Sequence, residues 1–125
     1  MSKFTPPPAV AAAAARGLEL RAKASPSNRG GLTTSQAAEE GVGSGVQRAS
    51  DLKNRRPLSL DTIKRMHAFF SRHEKNKAVD QGKTPEQDKG HQAWLLWGGD
   101  AGKAWVAKIL KGQDTELQQA AKRRL

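Results

Sequence analysis

Apolar positions in this chain recur at spacings of three and four in several separate blocks, the period of helices that bury one side. The clearest block is Ser59 to Lys77, where Leu60, Ile63, Met66, His67 and Phe70 trace one face and Lys64, Arg65, Arg72 and Lys75 fall on another. Ser59 suits the N-cap, and Asp61 the positive end of the helix dipole. Upstream, Ala9 to Lys23 reads as an alanine-rich helix entered from Pro6-Pro7-Pro8. Val10, Ala14, Leu18 and Arg21 mark one side of it, and Ala11 and Ala15 widen that side. Phe4, ahead of the prolines, either folds back onto a neighbour or inserts into a partner.

Between these blocks the signals are shorter. ASPSNRGGL, from Ala24 to Leu32, has the composition of a loop. Thr33 and Gln36 form a capping-box pattern opening a helix to about Glu40, and Gly41, Gly43 and Gly45 then break it. Those glycines read as a flexible turn or, alternatively, a backbone cradle for phosphate. A helix resumes at Ser44 or Gly45 with Val46, Ala49 and Leu52, and stops at Asn54 before the connection Arg55-Arg56-Pro57.

After Lys77, Ala78 to Gly90 is a polar surface linker. His91 to Leu110 then holds all three tryptophans, Trp94, Trp97 and Trp105, and so half of the six aromatic residues in the chain. The spacing predicts two helices meeting at Gly98-Gly99, with Asp100 capping the second and Ala101, Trp105 and Ile109 as its apolar stripe. Lys103, Lys108 and Lys111 lie mostly off that stripe. Gly112 is expected to end it, and Asp114 to Leu125 to form a last short helix with Lys122, Arg123 and Arg124 at its carboxyl end. The expected core is Ile63, Met66, Phe70, Trp94, Trp97, Trp105 and Ile109. The fold class that follows is all-α: a small bundle of five to six helices with irregular loops. Its expected divisions are a Pro/Ala-rich arm and helix (1–32), a core helical domain (33–112) and a basic C-terminal helix (113–125).

Composition narrows the chemistry. Only 36% of the residues are hydrophobic, much of that alanine, so the core is small. The absence of cysteine excludes disulfides, thiolate metal sites and cysteine nucleophiles. Lys and Arg outnumber Asp and Glu by 22 to 12, a net charge of +10 that attracts polyanions: nucleic acid, acidic protein or anionic lipid. The excess is equal in the two halves, with nine basic against four acidic residues up to position 60 and thirteen against eight beyond it. No apolar run reaches the roughly 18 to 20 residues a membrane span needs, and the chain reads as soluble, unexported and without a membrane partner.

Catalytic patterns are wanting. His73-Glu74 resembles the start of a zinc-protease motif, but Lys77 stands where the second histidine belongs. His67 and His73, six apart on a helix, point away from each other. No serine sits in a nucleophile elbow and no carboxylate pair stands out. The expectation is a non-enzyme with no catalytic residue, metal or cofactor. The candidate contacts to nucleic acid or an acidic partner are Arg48, Lys53, Arg55, Arg56, Lys64, Arg65, Arg72 and Lys75. The two helices flanking Arg55-Arg56-Pro57 could form either a plain hairpin or a helix-turn-helix DNA reader, although no Gln, Asn or Arg cluster opens the second helix.

Two stretches carry a family resemblance. RMHAFFSRHEKNK and AWLLWGGDAGKAW, separated by a variable polar loop and preceded by the Leu-Ser-Leu helix start, resemble a signature of short basic bacteriophage proteins, including those of cyanobacterial phages. They are also similar to a segment of phage head-morphogenesis and prohead-protease-like proteins. LSLDTIKRM further resembles the last helix of small phage-repressor domains. The head-protein resemblance spans roughly Leu32 to Ile109, with a weaker match around Ala14 to Leu20, and carries no catalytic residue over. It implies a virion structural or accessory protein (capsid, portal or neck component) within a larger assembly, meeting phage structural proteins or packaged DNA. The alternative is a DNA-binding regulator or a host-directed inhibitor in the host cytoplasm.

Overall fold

The computed structural model describes residues 3–25, 27 and 45–123, with side chains as far as residue 112. The helix expected from Thr33 to Glu40 and most of the glycine break after it lie outside the described residues. Among the described residues there are five α-helices and one two-stranded antiparallel pair. The class is the expected one.

The pair was not foreseen. Strand β1 (Lys3–Phe4) runs against β2 (Leu58–Ser59), with Lys3 opposite Ser59 and Phe4 opposite Leu58. It ties the start of the chain to the threshold of the central helix, and Phe4 folds back to pack half-buried against the core. Pro6 is fully buried, and its carbonyl accepts a 2.8 Å hydrogen bond from Arg55 Nε.

Helix α1 (Pro8–Lys23) begins as the prolines require, with Pro7 extended at the N-cap and Pro8 at the first helical position, where a missing N–H costs nothing. Its buried residues are Val10, Ala14, Gly17 and Leu20. The face is therefore turned by about one position from the predicted stripe, with Leu18 and Arg21 displaced to its margin. Gly17 explains the turn: a Cβ there would stand 2.7 Å from the Leu96 backbone nitrogen. The helix approaches its neighbour more closely than alanine would allow. It packs on α2, α4 and α5 at once.

Helix α2 (Gly45–Lys53) buries Ala49 and Leu52 as the spacing predicts and Gly45 besides, while Val46, the third predicted position, is half-buried. Arg55 closes its end at a φ of 51°, in the left-handed region. Helix α3 (Leu60–His73) starts at Ser59, whose Oγ accepts from the Thr62 amide, and a 3-10 turn (Glu74–Asn76) extends it. It buries Ile63, Met66, Phe69 and Phe70. His67, expected on this face, is exposed and Phe69 is inside in its place.

The polar stretch before the tryptophans is anchored from within. A 3-10 turn (Pro85–Gln87) leads to Asp88, which is buried together with Gln92. Asp88 accepts from the Asp80 amide at 2.7 Å and the His91 amide at 3.0 Å, capping helix α4 (Lys89–Leu96). Gln92 Nε2 donates to the Pro85 and Glu86 carbonyls at 3.2 and 3.1 Å. The corner follows: Gly98 and Gly99 take φ of 116° and 63°, conformations that glycine adopts without strain.

Helix α5 (Gly99–Arg123) corrects three expectations. Asp100 lies in its first turn and does not cap it; the carboxylate instead accepts the Trp94 indole N–H at 2.9 Å. Gly112 does not end the helix, which runs on through the segment expected as a separate last helix. One exposed glycine costs about 1 kcal/mol, too little to break a run of Lys, Gln, Leu and Ala. Finally, Trp105 and Ile109 are only half-buried; Val106 and Gly102 sit deepest on this helix.

The core lies where the corner meets α3. Trp94 and Phe70 meet edge to face at 4.9 Å, and Trp97 stacks on Phe69 at 4.8 Å with 13° between the planes. Trp94, Phe70, Ile63, Met66 and Leu96 are almost wholly shielded, and Trp97 is buried beside them. The buried rings add a large apolar area to a small core.

Candidate polyanion interface

Sealing the rings inside leaves the cations to define the outer surface. The eight candidate cations fall into two groups. Arg48, Arg55 and Arg56 are engaged with the protein itself. Arg48 is largely covered and donates from Nη1 to Asp51 at 3.2 Å, with its guanidinium 5.9 Å from the centre of the Trp97 ring. Arg56 reaches the other oxygen of Asp51 at 2.9 Å, and Gln47 Nε2 donates to that same oxygen at 3.1 Å. Burial lowers the Arg48 pKa; Asp51 opposes that shift and the nearby charge of Arg65 adds to it. Arg55 is spent on the Pro6 carbonyl. These three hold the segment that joins α2 to β2 in place.

Lys53, Lys64, Arg65, Arg72 and Lys75 form the second group. All five are exposed, and none has a carboxylate within ion-pair distance among the described residues. Lys53 ends α2; the other four stand on α3 and its terminal turn. At roughly 3.6 residues per turn they occupy about a 100° sector, and the rise from Lys64 to Lys75 is about 16 Å. Two acids share the helix, Asp61 and Glu74. Lys103 of α5 takes Glu74 in an ion pair, and this hydrogen bond, followed by the same lysine's charge, holds the Glu74 carboxyl below its ordinary value. The strip thus keeps an excess of positive charge.

His73 borders this strip. Its ring lies 4.7 Å from that of Phe69, and burial, then the charges of Arg72 and Lys75, lower its pKa. His67 is exposed, and His91 pairs through Nδ1 with the Lys77 carbonyl at 3.1 Å. Among the described residues no three His, Asp or Glu side chains converge as a metal site, and no helix is long and apolar enough to cross a membrane.

The two helices flanking Arg55-Arg56-Pro57 are not each other's main packing partners. Helix α2 packs chiefly on α1, and α3 chiefly on α5, with extended β2 between them. What the sequence reading missed is the role of the acids: Asp51 gathers Arg48 and Arg56, and Asp88 gathers a loop. A local signal existed for Asp88, which stands immediately before a helical run as an N-cap does. None existed for the Lys103 partnership, which spans 29 positions. Compared with known proteins, the chain matches no family model, no curated protein and no solved structure.

Proposed function

We propose that this protein is a non-enzymatic accessory component of a phage particle, and that it docks in the larger assembly by laying the basic face of α3 on a polyanion. The observation that carries the docking reading is the strip itself: Lys64, Arg65, Arg72 and Lys75 are exposed on one sector of a helix whose opposite side is fixed in the core. A rigid row of cations attracts a polyanion at long range and needs no rearrangement to meet it. The phage setting draws on the resemblance of RMHAFFSRHEKNK and AWLLWGGDAGKAW to phage head-associated proteins. The non-enzymatic reading draws on a sequence without cysteine, nucleophile elbow or paired carboxylates. The regulator reading is less well supported, because α2 and α3 each pack chiefly on other helices.

Quantitative mass spectrometry of purified particles tests this reading. A copy number matching a symmetry element of the particle is the expected result, and absence from particles sinks the virion assignment. Retention on heparin that falls sharply in the Lys64→Gln/Arg65→Gln/Arg72→Gln/Lys75→Gln variant is expected for the docking face. Unchanged retention sinks that face.

A further inference from the structure

We infer that the polyanion met by α3 is double-stranded nucleic acid, gripped by its phosphate backbone without base stacking and with little sequence preference; this rests on the docking reading above. What the basic face lacks separates this ligand from the other polyanions. Single strands are held by aromatic side chains on which the bases stack, alongside a cationic groove. Acidic protein partners are held by a central apolar or aromatic anchor, with charges at the rim.

The six aromatic residues of the chain are all accounted for. Phe69, Phe70, Trp94 and Trp97 are buried against one another. Phe4 and Trp105 belong to β1 and α5 and pack half-buried on the core. Within the sector of α3 that carries the cations, the intervening residues are Asp61 and the half-buried Ala68. Among the described residues, neither a stacking platform nor an apolar anchor stands there.

A ligand that suits such a surface is recognised by charge alone. Duplex nucleic acid offers the densest regular row of phosphates, about one charge per 1.7 Å of axis, and binding it releases condensed counterions. Four cations along about 16 Å of α3 and its terminal turn can meet several phosphates without bending the protein. Two supporting arrangements keep the row positive. Lys103 draws Glu74 into an ion pair, and Arg48 and Arg56 hold Asp51 at the end of α2.

The test is fluorescence anisotropy of the full chain with three labelled probes at matched salt: a mixed-sequence 20-bp duplex, a single strand of the same length, and poly-glutamate. The duplex is expected to bind at least tenfold tighter than either other probe, and a second duplex of different sequence within about twofold of the first. The logarithm of affinity should fall with the logarithm of salt, and the slope should shrink by about 3 to 4 in the Lys64→Gln/Arg65→Gln/Arg72→Gln/Lys75→Gln variant. A control with the same charge change elsewhere, Lys3→Gln/Lys77→Gln/Lys89→Gln/Lys108→Gln, should lose markedly less. Circular dichroism checks that both variants keep their helices. Single strand or poly-glutamate bound as tightly as duplex overturns the inference and leaves the docking face standing. An equal loss in the control variant overturns the face for duplex. Failure of all three probes to bind overturns both readings.

Discussion

The indole N–H of Trp94 donates to the Asp100 carboxylate at 2.9 Å, across the Gly98-Gly99 corner that joins α4 to α5. Trp94 is almost entirely shielded, whereas Asp100 is exposed. The bond lets a polar edge of the largest core side chain be satisfied at the rim of the fold. Asp100→Ala removes the acceptor, and because water can partly replace it at this exposed position, the expected loss is about 1 to 2 kcal/mol. Asp100→Asn, which keeps a carbonyl oxygen, should lose less. Chemical denaturation of the two variants checks the order.

Gly17 makes the second prediction, against the trend of helix propensity. Alanine is the better helix former by about 1 kcal/mol, yet a Cβ at Gly17 meets the Leu96 nitrogen at 2.7 Å and the Leu95 carbonyl carbon at 3.0 Å. Backbone cannot step aside as a side chain can. Gly17→Ala is expected to destabilise by roughly 1 to 3 kcal/mol, the usual range for overpacking. A raised melting temperature would show that α1 and α4 do not meet so closely.

The three tryptophans should not be equivalent. Trp94→Ala empties a buried site and is expected to cost about 3 to 5 kcal/mol. Trp105→Ala, which the clustering in sequence alone would rank equally, should cost well under that, since the ring is half-buried on α5. Melting curves of the pair decide it.

Arg48 and Arg72 should separate folding from binding. Arg48 joins Asp51 on α2 to the Trp97 ring, so Arg48→Ala is expected to lower stability by about 1 to 2 kcal/mol, through packing, ion pair and cation–π contact together. Duplex affinity should change little. Arg72→Gln, at an exposed position without an ion pair among the described residues, should do the reverse. Parallel melting and anisotropy measurements on both variants check the crossing.

Asp88 predicts an acid limit. Burial alone would push its carboxyl up, but hydrogen bonds from the Asp80 and His91 amides, then the charges of Lys83 and His91, more than offset this and hold it below the ordinary value of 3.8. A native pKa below the unfolded one means the ionised group stabilises the fold at all pH above the ordinary carboxylate range. That contribution is lost as pH falls from about 4 through the lower, native value. Asp88→Asn should show lower stability at neutral pH and a shallower fall as pH drops below about 4.

Much of this architecture was legible in the sequence where a local signal coincided with a tertiary need. Ser59 caps α3, the spacing of Ile63, Met66 and Phe70 marks its buried side, and Gly98-Gly99 turns the chain between two tryptophan-bearing helices. The failures share a cause. His67 and Phe69 sit on either side of the face traced by Ile63, Met66 and Phe70, and it is Phe69 that goes inside, where it meets Phe70, Trp94 and Trp97. The buried side of α1 follows Gly17, whose value is the space it leaves for another backbone, invisible along the chain. The strand pair joins residues more than fifty positions apart and is two residues long on each side, too short to have a period. For the candidate interface, the cations of α3 were evident from helical spacing. Arg48, Arg55 and Arg56 are also bonded within the fold; of these contacts only Arg48 with Asp51, three positions apart, has a spacing that can be read along the chain.

Chemical-shift mapping tests the central claim most directly, because it reads the outer and inner faces of α3 in one titration. With 15N-labelled protein and an unlabelled 20-bp duplex, the largest amide shifts should fall between Lys64 and Lys75, and the Trp94 and Trp97 indole signals should stay in place. Shifts centred on the Trp105 indole or on the loop before Asp88, with α3 unmoved, would contradict the account.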